Sequence, residues 1–110
     1  QALLDTLEIA FSRGVIIAAG NDGGAPLVHI GEMADELACY VTLGMHPRDA
    51  IASATINTGR LFRLDRTGYV EPGWVADLIA VRGDLLRDIT VLRDPVFVMA
   101  RGVVVVATEG

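Results

Sequence analysis

The chain has 110 residues, 52% of them apolar and 21% charged, and a formal net charge of −5. This is one domain or a piece of one, too apolar to stay disordered and too acidic to bind nucleic acid through its overall charge. The apolar share is high for so short a chain, which points to apolar surface meant for a partner. A single cysteine, Cys39, leaves no internal disulfide and reads as a small core residue. No stretch approaches the roughly 18 to 20 apolar residues of a membrane span, and no signal peptide is recognisable, so a cytoplasmic location is expected. The opening Gln1, with no Met, fits a start inside a larger protein.

The first element is a helix over residues 1–12. Leu3, Leu4, Leu7, Ala10 and Phe11 fall on one face, and Gly14 suits a C-terminal cap. Val15-Ile16-Ile17-Ala18-Ala19 follows, β-branched and without polar alternation, as a strand buried on both faces would read. Helix, glycine turn and strand make half of a βαβ unit, whose first strand would lie upstream. At the C-terminal end of the run stands one carboxylate, Asp22, in the glycine-rich loop Gly20 to Gly31. In barrels of parallel strands, reacting side chains project from that end.

A second helix is expected over residues 32–43, packed through Met33, Leu37, Tyr40 and Val41 and ended by Gly44. Pro47 opens a third at a first-turn position, with Asp49 near its positive end. Asn57 and Thr58 are expected to break it before a short helix over residues 59–64. Asp65 to Gly68 and Glu71-Pro72-Gly73 read as turns. Residues 76–81 form a short apolar strand, and residues 83–95 a loop with a helical turn near Leu85-Leu86. Two strands, 96–100 and 103–108, make a hairpin with Gly102 at positive φ.

These pieces occur in a familiar order. Gly20-Asn21-Asp22-Gly23-Gly24 ends the apolar run, and Glu36-Leu37 follows. Gly44-Met45-His46-Pro47 leads into Ala50-Ile51-Ala52-Ser53-Ala54-Thr55. Then come Gly68, Pro72-Gly73 and Ala76-Asp77-Leu78, and the closing hairpin Val98 to Val104. The ordered set resembles the C-terminal part of metal-dependent amidohydrolases, in the branch of imidazolonepropionase and Xaa-Pro dipeptidase-like enzymes. The resemblance implies an α/β fold: the last part of a (β/α)8 barrel over residues 1–64, and strands of a small composite β-sandwich over residues 65–110. It implies a divalent metal, most often zinc, with residues 15–21 as the eighth barrel strand. Asp22 would be the last metal ligand and also the general base that takes a proton from the metal-bound water. Asn21 (Thr in many relatives), Gly23 and His29 would lie beside the substrate.

The family's His-x-His pair, its bridging Lys or Glu and its two later histidines are missing. The chain has only His29 and His46. One carboxylate cannot hold a catalytic zinc, which takes about three protein ligands, and a barrel takes about 250 residues. The chain alone is therefore expected to be inactive. It would act as part of a hydrolase of C–N bonds in cyclic amides or peptide-like substrates, completed by an N-terminal part or associating with itself. The alternative is a non-catalytic scaffold or complementing subunit built from amidohydrolase parts. Without the resemblance, Asp22 is a turn carboxylate, His29 a surface histidine, His46 a helix-start residue and Asp77 a backbone-bonding turn residue.

Overall fold

The computed structural model describes residues 1–20 and 32–108. Four helices come first: α1 (Ala2–Ser12), α2 (Met33–Thr42), α3 (Pro47–Ser53) and α4 (Ile56–Leu61). An antiparallel meander follows, β1 (Leu78–Ala80), β2 (Phe97–Ala100) and β3 (Val103–Ala107), with a 3-10 turn at Ile89–Arg93 between β1 and β2.

Helix boundaries follow local chemistry. Gly14 (φ +77°) and Gly44 (φ +107°) each close a helix in the left-handed region, as their positions in the sequence predict. His46 caps α3, its Nδ1 accepting from the Arg48 N–H at 3.1 Å, and Pro47 occupies the first turn. The break between α3 and α4 falls at Ala54-Thr55, three residues before the expected Asn57-Thr58. Thr55 (φ −125°, ψ −96°) leaves helical geometry while its hydroxyl bonds back to the Ile51 carbonyl at 2.8 Å. That bond gives the backbone an alternative to continuing the helix.

The core is a small cluster of Leu37, Tyr40, Met45, Ala50 and Ile89. It joins α2, the start of α3 and the 3-10 turn, and Leu7, Phe11, Ile17 and Ala19 pack on it from the N-terminal side. Burying a side chain such as Leu37 stabilises the fold by about 1.5–3 kcal/mol. Outside this cluster Ile56 is also buried, but much apolar surface is open. No residue of α1 is buried, and every residue of β3 is exposed.

The turns that carry the sheet read correctly from sequence. The Trp74 N–H donates to the Glu71 carbonyl at 3.1 Å with Gly73 at φ +87°, the type II pattern for Pro-Gly. Arg101 (φ +48°) and Gly102 (φ +79°) both take positive φ, as a two-residue type I′ hairpin requires. Asp77 locks this hairpin to the start of β1, its Oδ1 accepting the Arg101 N–H at 2.8 Å. The expected strand at 76–81 is shorter, and the expected helical turn near Leu85 is followed by the 3-10 turn. Asp88 starts that turn by accepting the Thr90 N–H at 3.0 Å.

Residues 15–19 differ from expectation. Among the described residues no strand pairs with this run, and Val15 and Ile16 are 57% and 76% exposed rather than buried on both faces. The physical reason is that a parallel strand needs ladder partners delivered by crossover connections. The only strands among the described residues are the three antiparallel ones.

Candidate functional site

Asn21, Asp22, Gly23 and His29 lie outside the described residues. The structure does describe how the chain is held up to residue 19. Three contacts fix the run along one side. The Val15 N–H donates to the Ala10 carbonyl at 3.1 Å, and the Asn57 side-chain amide donates to the Ile17 carbonyl at 3.0 Å. The Ala19 N–H donates to the Ser53 carbonyl at 2.8 Å. Ile17 and Ala19 meanwhile pack on the core, as alternate residues of an extended chain do.

The helix break makes one of these anchors possible. An uninterrupted helix would engage the Ser53 carbonyl internally. Because α3 stops at Ser53, that carbonyl accepts from Ala19 and also from the Thr58 hydroxyl at 2.9 Å. Ser53 is fully buried, so its carbonyl has no water to replace a lost partner. The stretch Ala50 to Thr55, singled out for its order in the sequence, thus holds the chain leading to Asp22. Asn57 was read only as a helix breaker. Its anchoring role depends on a partner 40 residues away, which no local pattern reveals.

Replacing Asn57 by Ala strands the Ile17 carbonyl. We expect a loss of about 1–2 kcal/mol in urea unfolding, the range for an unsatisfied, partly buried acceptor. By contrast, the exposed Arg93–Asp35 ion pair contributes at most about 1 kcal/mol, being open to solvent screening.

Tyr40 is the one buried titratable side chain among the described residues. Burial pushes its phenol well above the ordinary range, and the hydrogen bond to Glu36 and that carboxylate's charge act in the same direction. The hydroxyl therefore stays protonated and donates to Glu36 Oε1 at 2.8 Å.

A cavity of about 600 Å³ lies at the other end of the run, lined by Phe11, Val15, Met45, His46 and Asn57. Residues 18–20 do not line it. His46 is committed to capping α3. Among the described residues, no three His, Cys, Asp or Glu side chains gather where they could hold a metal ion. None of the described helices is long and apolar enough to cross a membrane.

Comparison with known proteins decides the family. The model of the amidohydrolase family matches residues 4–107. The chain belongs to the amidohydrolase family. Among curated proteins, adenine deaminase of Mesorhizobium japonicum is 39% identical over 70 residues, covering 63% of this chain and 12% of that protein. A crystal structure of a Xaa-Pro dipeptidase with bound methionine superposes with a TM-score of 0.85 and 38% identity, over 98% of this chain and 26% of that one. Ochratoxinase of A. niger gives a TM-score of 0.83 at 30% identity, covering 96% and 25%. This amidohydrolase chain thus spans about an eighth of the curated relative and a quarter of the solved structures.

Proposed function

We propose that the chain is the C-terminal portion of a metal-dependent amidohydrolase that cleaves C–N bonds in cyclic amide or peptide-like substrates. In this reading residues 1–64 complete the barrel and residues 65–110 contribute to the β-sandwich. The branch is the one that includes Xaa-Pro dipeptidase and imidazolonepropionase. The observation that carries the proposal is the anchored run 15–19 in a chain that matches the family over residues 4–107. Its anchors come from the helical side, and the exposed Val15 and Ile16 are left for neighbouring strands.

Asp22 follows three residues after the last anchor, Ala19. We assign it as a metal ligand and as the base that accepts the proton of the attacking water, then passes it to the leaving nitrogen. Asn21, Gly23 and His29 would border the substrate. The described residues do not fit a complete metal site, so the remaining ligands would come from outside this chain. A divalent metal, zinc by the family resemblance, would polarise the scissile carbonyl when bound. The exposed faces of α1, residues 15–16 and β3 are the surfaces for the complementing part, and in its absence for self-association.

The test is an assay of the complete protein containing this chain, zinc-loaded, on cyclic amides, Xaa-Pro dipeptides and adenine. The expected result is turnover of at least one, abolished by a chelator and restored by zinc, with none from the 110-residue chain. Equal activity from the chain alone would overturn the reading. Full activity of the complete protein after metal removal would do so as well.

A further inference from the structure

The helices and the sheet do not share a core. Leu37, Tyr40, Met45 and Ala50 come from α2, α3 and the turn between them. Among the described residues, none from β1, β2 or β3 belongs to that cluster or packs against it. The later half of the chain reaches the core at one place only. Ile89, 5% exposed, enters it with Leu92 beside it, and both sit in the 3-10 turn between β1 and β2. The other attachment, residues 67–68 against α4, is a backbone crossing outside the core. Where the two layers face each other there is instead a groove of about 920 Å³. Leu37, Ile51 and Ala54 line it on the helical side, and Leu78 and Ile79 on the sheet side.

The connection from β1 to β2, residues 81–95, holds itself together. Its ends are tied at the sheet, where the Val96 N–H donates to the Ala80 carbonyl at 2.9 Å. Within it, the Arg87 and Asp88 N–H groups both donate to the Asp84 carbonyl at 3.0 Å, and Asp88 Oδ1 accepts the Thr90 N–H at 3.0 Å. Gly83 and Val91 meet across the loop, close enough that a Cβ on Gly83 would lie 3.1 Å from Val91 Cγ1. Joined ends and internal packing are the marks of a compact Ω-loop. Among the described residues, no backbone hydrogen bond ties this loop to the helices. What does so is Ile89, Leu92 and the exposed Arg93–Asp35 pair, Nε to Oδ1 at 2.8 Å. Undocking therefore gives up a small apolar contact and a solvent-screened ion pair while the loop's own bonds survive. That is far less than global unfolding gives up.

We propose that residues 81–95 are a latch, a self-contained loop carried by the sheet that docks on the helical layer and leaves it as one piece, with Ile89 as the residue that closes it. Opening the latch uncouples the sheet from the helices and widens the groove between them. The two layers are then separate cooperative units joined at one side chain. The latch does not rest on the reading of Asp22.

The test is cysteine labelling of the complete protein with N-ethylmaleimide, located by peptide mass spectrometry so that Cys39 is read separately. Ile89→Cys and Leu37→Cys place a thiol at positions that are 5% and 3% exposed. The first should label on the order of 100-fold faster than the second. Its rate should also rise less steeply with urea, because undocking exposes less surface than unfolding. In the unsubstituted protein, the Val96 amide should open more rarely than residue 89 does, since its bond to Ala80 survives undocking. If a cysteine at residue 89 prevents folding, Leu92→Cys reports the same motion from the same turn.

Equal labelling rates or equal urea slopes at residues 89 and 37 overturn the latch, since one global opening would then expose both. A Val96 amide that opens as readily as residue 89 overturns it too. The connection would then unravel from the sheet instead of leaving the helices.

Discussion

Asp22→Ala in the complete protein should lose turnover by on the order of 10^4-fold, the upper range for removing a positioned general base. The expected loss is large because one side chain would carry two roles, ligation and proton transfer. Asp22→Asn separates them. The amide can still offer an oxygen to a cation, but it cannot accept a proton, so metal content should survive better than rate. Stability should hardly change, because the contacts that fix the run are made by residues 15–19 with α1, α3 and α4. The decisive comparison is kcat beside thermal unfolding. Retained kcat would sink the assignment of Asp22, and a collapse of the fold would mean that Asp22 is structural.

The helices and the hairpin were legible because their signals are local. Leu37 and Tyr40 sit three apart with Gly44 four residues on, and Arg101-Gly102 joins two valine-rich runs. Each pattern carries its own geometry within one or two turns of chain. The strand expected over residues 15–19 is not formed among the described residues, since a parallel strand and its burial depend on ladder partners that are not among those described. The anchors were not legible at all. Asn57 meets Ile17 and Ser53 meets Ala19 across more than 30 residues, and each uses a residue type with a bland local explanation. Tyr40 is a contrast. At helical spacing it reads as one more core residue, and as a core residue it is buried. Asp77 is the opposite case, because a short polar side chain before a strand has few roles besides bonding backbone, and it bonds Arg101.

Gly68→Ala should be among the most damaging single substitutions in the chain, costing about 3–5 kcal/mol in chemical unfolding. Two effects add. Gly68 has φ +114°, where any residue with a Cβ is strained. The added Cβ would also stand 2.7 Å from Ile56 Cα and 2.9 Å from Ile56 N, backbone atoms at the start of α4 that cannot rotate aside. Gly59 meets the same crossing from the other side, where a Cβ would lie 2.5 Å from the Thr67 carbonyl oxygen. Two glycines thus let residues 67–68 run directly against α4, the helix that also carries Asn57. Gly73→Ala is the internal control. At φ +87° with nothing within 4 Å it suffers strain without collision, and it should cost only about 1–2 kcal/mol. Equal losses at the two positions would mean that the crossing can open without penalty. A larger loss at Gly68, with faster exchange of the amides following Ile17, would show that the approach of residues 67–68 to α4 supports the run leading to Asp22.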